Sequence, residues 1–166
     1  EQRVQKVDGG DHDVVGLARD GAIATAVILK IRRGRLLGRD TVRFHDILDE
    51  DDAALLATFS SRYYLGQGEQ AIGELPREIL FPARFEDRAL LGEILSGSAG
   101  RRVVTHTPTR GEKRRLVELA NQNARHALED RVTAKADRGR ADEVLYQLQD
   151  RLDLKVVPRL MVCFDV

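Results

Sequence analysis

The chain has 166 residues, of which 42% are hydrophobic and 33% charged, and 27 Lys/Arg balance 27 Asp/Glu to a formal net charge of zero. That describes a soluble globular protein with enough length for one domain, extra segments and a real core. The single cysteine, Cys163, excludes internal disulfides and cysteine-based zinc sites, and no apolar run has the length of a membrane span or the form of a signal peptide.

These features predict a cytoplasmic protein with no membrane partner. The chain starts without Met and stops within an apolar run, which reads as a piece of something longer. Charge is unevenly spread. Residues 101–126 hold seven Lys/Arg against two acids, while Asp46, Asp49, Glu50, Asp51 and Asp52 form an opposite pole. Such polarity lets one face attract a polyanion while the molecule stays neutral.

In chain order, residues 1–12 are polar and Gly-containing and read as a linker. A short strand, Asp13 to Arg19, meets a hairpin signal at Asp20-Gly21. Ala22 to Ile31 follows as a central strand, with Ile23, Thr25, Val27, Leu29 and Ile31 on one face and mostly Ala on the other. Arg33-Gly34 makes the next turn and Arg35 to Phe44 the third strand, completing an antiparallel meander. The acidic run then opens a helix, with Asp49 as N-cap and Leu55, Leu56, Phe59 and Tyr63 as its apolar stripe. Its carboxylates thereby have a structural role without a metal. Gly66 and Gly68 end that helix, Pro76 to Phe81 reads as a strand, and residues 86–96 as a helix with Leu90, Leu91, Ile94 and Leu95 inward.

A short buried strand (102–106) then leads into a long helix. Thr109 and Glu112 have capping-box spacing, and Leu116, Leu119, Ala120, Asn123 and Ala127 share one face. Arg110, Lys113, Arg114 and Arg115 crowd the first turns, where the helix dipole disfavours cations. An anion docked there would offset that cost, so these four are the candidate phosphate or DNA contacts; a solvated basic face is the plainer reading. The helix is expected to break near Arg138-Gly139, resume over Arg140 to Leu152, and give way to a strand from Leu160 to Val166.

A meander followed by alternating helices and strands is the order of the ribonuclease H-like fold, an α/β mixed sheet with helices on both faces. Nucleases of that fold hold two divalent metals between carboxylates at the sheet centre. Here the first strand interior, Val14 to Leu17, carries no acid, and the fourth strand ends in Leu80, Phe81 and Pro82. Asp13 and Glu78, near strand starts, read as surface residues. Asp165, within an apolar run, is expensive to bury unless paired or metal-bound, and a lone Asp there reads equally well as an exposed edge residue. His12, His45, His106 and His126 lack metal-ligand spacing. Tyr63-Tyr64 reads as packing, and for Asn121 and Asn123 internal bonding and phosphate contact stay open.

The run Pro108 to Lys113, then Leu116, Ala120, Asn123-Ala124 and the final Cys163-Phe164-Asp165-Val166 resemble the UvrC family of bacterial excinuclease subunits. Ala18 to Gly21 and Arg33 to Gly38 fit the same region. The resemblance implies a parent that incises DNA on both sides of a lesion in nucleotide excision repair, working with UvrA and UvrB. It further implies that Asp165 is the first metal-binding, catalytic Asp of the family's ribonuclease H-like nuclease, which uses Mg²⁺ or Mn²⁺. Residues 13–136 would then be a ribonuclease H-like domain without catalytic acids, and residues 137–166 a helical connector plus the first strand of the active nuclease. Two rival readings are a purely structural spacer, and a self-sufficient metal nuclease using Asp13, Glu78 and Asp165.

Overall fold

The computed structural model describes residues 10–66 and 75–156, with the side chains of 135–142 left aside. Strands β1 (His12–Asp20), β2 (Ile23–Arg32) and β3 (Arg35–Phe44) form the expected meander. The first turn sits one residue later than its Asp-Gly signal: Asp20 still pairs with Ile23, leaving Gly21-Ala22 as the loop. At the second turn Arg33 and Gly34 both have positive φ, 52° and 70°, as a two-residue primed turn requires. β3 carries a bulge opposite Lys30/Ile31.

Strand β4 (Glu78–Leu80) runs parallel to β1, and β5 (Val104–His106) parallel to β4, giving the sheet order β3-β2-β1-β4-β5. Both short strands are shorter than expected, and β5 is not buried. It forms the outer edge, with Val104 and His106 exposed.

Helix α1 (Asp52–Ser60) is capped by Asp51, whose Oδ1 accepts from the Ala54 N–H at 2.7 Å. The cap is therefore Asp51 and not Asp49, because the helix starts later than the acidic run suggests. A π-helical turn, Ser61–Leu65, continues α1 to Gly66; Gly68 lies outside the described residues. In α2 (Arg88–Ala99) the inward face is Leu91, Gly92 and Leu95, while Leu90 and Ile94 are 53% and 42% exposed. Gly92 sets this rotation, because its missing side chain lets the helix approach Thr105 of β5.

Helix α3 spans Gly111–Arg151 without the break expected at Arg138-Gly139. A single Gly lowers helix propensity by only about 1 kcal/mol, which a long helix absorbs. The chain divides into two compact units, residues 1–128 and 129–166. In the first, the buried stripe of α3 is Leu116, Val117, Ala120, Ala124 and Leu128, with Leu119, Asn123 and Ala127 at its margin. In the second, the helix ends at Arg151 and turns back through Asp153 (φ 49°), the Leu154 N–H donating to the Gln149 carbonyl at 3.0 Å.

The sheet is thus covered on both faces. Val15, Ala24, Ala26, Ile28 and Ile79 meet α1 and α2 through Leu56, Phe59, Leu91 and Leu95, with Phe81 just after β4 in the same core. Val14, Ala18, Val27, Leu29 and Leu80 meet α3. Gly16 makes this second packing possible: a Cβ there would stand 2.1 Å from the Ala120 carbonyl carbon. Among the described residues, β1 has no strand partner on its β4 side beyond Val14. The Leu17 N–H donates instead to Asn121 Oδ1 of α3, at 3.0 Å.

Candidate nucleic-acid interface

The proposed basic site lies where β5 gives way to α3. The helix opens at Gly111, with φ +78°. Thr109 therefore lies two residues before the first helical residue and is not at the capping position that its spacing to Glu112 suggests. Of the four cations, Lys113 reaches across to β4, its Nζ 2.7 and 2.9 Å from the two oxygens of Glu78. Arg114 pairs with Glu118 one turn on, Nε to Oε1 at 3.1 Å. Arg110 and Arg115 are exposed. Together with His12, His106, Pro108 and Glu112, Arg110 and Lys113 line a cleft of about 420 Å³.

Glu78 is therefore no simple surface residue. Its side chain is 14% exposed and lies between Lys113 and His12, whose Nδ1 is 3.1 Å from Oε2. That approach is off the direction of the ring N–H, so Nδ1 has no aligned hydrogen bond although it is buried. Across the β1–β4 pair His12 and Glu78 are direct partners, which puts both on the α3 face.

Asp13 points the other way and is 3% exposed, again not the surface residue expected. Arg32 Nη1 donates to its Oδ1 at 2.8 Å and the Tyr64 hydroxyl to its Oδ2 at 3.2 Å. Burial raises the Asp13 pKa above the usual carboxylate value, and the Arg32 charge and hydrogen bonds only partly offset that. Tyr64 is itself held neutral by burial and by the Asp13 charge.

Beside this pair, Asp40 of β3 accepts from Lys30 at 2.8 Å and from the Tyr63 hydroxyl. Burial opposes ionisation there too, but the Lys30 and Tyr63 hydrogen bonds win and its pKa falls. The π-helical turn brings two consecutive tyrosines against neighbouring strands, as a wide helical turn can. Tyr63-Tyr64 thus packs and bonds within the protein, Tyr63 stacking on Phe59 and Tyr64 meeting Tyr63 edge-on.

A metal pair needs carboxylates that converge. Asp13 and Glu78 project from adjacent strands to opposite faces, and each is already engaged by cations. Among the described residues, no group of three His, Cys, Asp or Glu is placed to hold a metal ion. Nor is any described helix long and apolar enough to cross a membrane. The described residues therefore do not fit a two-metal centre. Asp165 and Cys163 lie outside the described residues.

Asn121 and Asn123 both bond within the protein: Asn121 to Leu17, and Asn123 through Nδ2 to the Leu119 carbonyl at 2.9 Å. The ion pairs of Asp13 and Glu78 have no local sequence signal, because their partners stand 19 and 35 residues away.

A family model described as the UvrC ribonuclease H-like domain matches residues 11–131. The chain is 43% identical over 164 residues to the UvrABC system protein C of Gemmatimonas aurantiaca, covering 98% of this chain and 25% of that protein. It is 35% identical to the protein of the same name from Desulfatibacillum aliphaticivorans and 36% identical to that from Thermus thermophilus, in each case over the whole chain and 26% and 27% of the relative. The chain spans about a quarter of the length of these relatives. Sheet order, covered faces and sequence agree: the chain belongs to the UvrC family and carries its ribonuclease H-like domain.

Proposed function

We propose that this chain is the non-cutting, positioning part of an excinuclease subunit that incises damaged DNA in nucleotide excision repair, in company with UvrA and UvrB. The observation that carries the non-cutting role is the divergence of Asp13 and Glu78 to opposite faces of the sheet, each neutralised by a basic partner. The rival nuclease built from Asp13, Glu78 and Asp165 would need those two carboxylates to converge. In the complete parent, Mg²⁺ or Mn²⁺ and Asp165 belong to the following nuclease, with this domain presenting DNA to it through Arg110, Lys113, Arg114 and Arg115.

The Lys113–Glu78 pair favours a second reading, in which the start of α3 is a packing element and the domain a structural spacer. Salt titration of duplex binding separates the two, because phosphate contacts release counterions and packing does not. The cutting assignment has its own test. The purified chain should leave supercoiled DNA intact with Mg²⁺ or Mn²⁺, while Asp165→Ala in the parent should abolish the 5′ incision. EDTA-sensitive nicking by the chain would defeat the positioning role.

A further inference from the structure

The sequence places the phosphate contacts on α3, yet two of those four cations are already paired. The outer edge of the sheet is different. β3 is an edge strand, and the turn and strand carry Arg33, Arg35, Arg39 and Arg43, all exposed. Among the described residues none of their four guanidinium groups forms an ion pair with a carboxylate; Arg33 meets Asp11 through its backbone N–H, at 3.0 Å, and Arg39 makes a 3.3 Å hydrogen bond to Asn123 Oδ1. The one acid of the strand, Asp40, is held on the α1 face by Lys30 and Tyr63. Arg39, Thr41 and Arg43 line the α3 face of β3, where their β2 partners Leu29, Val27 and Thr25 are buried but they are not. α3 therefore buries this face as far as β2 and meets β3 through Asn123 and Arg39, leaving Arg39, Thr41 and Arg43 exposed. Beyond the bulge, Arg35 pairs with Arg32 at the turn. There Arg32, Arg33 and Arg35 line a second cleft of about 730 Å³, with Asp11 and Leu37.

We propose that the β3 edge is a track for the phosphate backbone of duplex DNA, with Arg33, Arg35, Arg39 and Arg43 as the contacts. This rests on the proposed role of the domain in positioning DNA. Charge complementarity selects the occupant. Edge strands are commonly protected by charge of either sign, but here four guanidinium groups stand together with Asp11 the one acid in their cleft, in a chain of zero net charge. Guanidinium is the side chain whose fork matches phosphate oxygens. The strand runs about 30 Å at its usual rise per residue, which is close to one turn of duplex, ~34 Å. An edge also suits a backbone better than a flat face does, since side chains from both faces of β3 can reach one strand of phosphates.

The test compares three variants of the chain by fluorescence anisotropy with a short labelled duplex over a salt series. Arg35→Gln/Arg39→Gln/Arg43→Gln should weaken binding at least tenfold and flatten the slope of log K against log salt by about 0.9 for every phosphate left without its cation. The same three positions changed to Lys should keep most of the slope, because counterion release follows charge. Arg110→Gln/Arg115→Gln should have the smaller effect.

A β3 Gln variant that binds like the wild type, while the helix variant loses affinity, would overturn the track and leave the DNA-positioning role standing. Equal weakening in the Gln and Lys variants would also overturn it, by pointing to altered structure. Absence of duplex binding by the wild-type chain would remove both the track and the positioning role. Thermal melts of each variant, expected to match the wild type because all three side chains are exposed, keep misfolding apart from weakened phosphate binding.

Discussion

The two faces of the sheet are built by different means. Towards α1 and α2 the core is filled by bulk: Phe44, Phe59, Phe81, Phe85 and Tyr64 stand between strands and helices. Towards α3 the packing depends on closeness: Gly16, Ala18, Ala120 and Ala124 let backbone approach backbone, among Val, Leu and Ile but no aromatic side chain. Bulk tolerates some loss by partial collapse, whereas closeness tolerates no gain. The polar groups are also distributed unevenly. The bulky face carries the buried Asp13 network, and the close face ends in the α3 start and borders the basic β3 edge.

The sharpest test of that contrast is Gly16→Ala. The added Cβ would meet Ala120 C, Ala120 O and Asn121 N at 2.1, 2.2 and 2.5 Å, and backbone atoms cannot rotate away as side-chain tips do. The α3 layer must lift, with loss of the Asn121–Leu17 bond. A destabilisation on the order of 5 kcal/mol is expected, at the top of the range for single substitutions, read from the urea midpoint. Ordinary stability in this variant would show that the two layers are not closely packed.

On the other face Phe59→Ala removes the ring that stacks on Tyr63 at 5.6 Å and meets Phe44 edge-on at 6.4 Å. It should cost about 3–5 kcal/mol, and part of the loss should be recovered by Phe59→Leu, which refills volume. No refilling substitution exists for Gly16, so a rescue series distinguishes the two faces even where the initial losses are similar.

The polar part of the bulky face is expected to respond to pH. Arg32→Met strips Asp13 of its cation while leaving its carboxylate buried, a change worth about 3 kcal/mol. The sign follows from the raised Asp13 pKa. A carboxyl whose folded pKa exceeds its unfolded one contributes stability that is full below the unfolded value and lost as pH rises through the folded value. Losing Arg32 pushes the folded value higher still. The deficit of Arg32→Met should therefore be largest at neutral pH and shrink as pH falls through the weakly acidic range. The triple Asp13→Leu/Arg32→Met/Tyr64→Phe, which replaces the whole network by apolar groups, should be as stable as the wild type within about 1 kcal/mol and lose the pH dependence. A deficit that does not vary with pH would assign the loss to packing.

The strands of the meander were legible because alternation and turn residues are local signals, and Arg33-Gly34 fixed its turn outright. So was the class of fold, since element order alone separates a ribonuclease H-like sheet from its competitors. What was not legible is where each face points once elements pack. Leu90 and Ile94 match Leu91 and Leu95 in hydrophobicity, and long-range contacts decide which pair turns inward: Gly92 against Thr105, and the bonds of Arg88 and Ser96 to Thr105 and Val103. Asp13 and Glu78 look alike as acids near strand starts, yet the parallel register of β1 and β4 sends them to opposite faces and gives them different cations. The basic α3 start was visible as a charge run, but its pairing with Glu78 spans 35 residues, which no local pattern encodes. The arginines of β3 were equally visible. Their significance depends on β3 being an edge strand whose arginines α3 leaves exposed, which is a property of the sheet order.

The smallest predicted effect separates the cations at the α3 start. Judged from sequence, Lys113 and Arg114 are equivalent: both oppose the helix dipole, and replacing either with Gln should gain a few tenths of a kcal/mol. The structure makes them different. Arg114 pairs with Glu118 in an exposed i,i+4 arrangement worth about 0.3–0.5 kcal/mol, which roughly cancels the dipole term, so Arg114→Gln should be neutral. Lys113 satisfies Glu78, whose side chain is only 14% exposed. Because Lys113 itself is 44% exposed, solvent screening reduces the pair below a buried one, and Lys113→Gln should cost about 0.5–1 kcal/mol. The double variant Lys113→Gln/Glu78→Gln should return most of that loss, since a neutral amide no longer needs a cation. A double-mutant cycle in urea measures the coupling directly. Coupling indistinguishable from zero would free Lys113 for phosphate and restore it to the standing of Arg110 and Arg115.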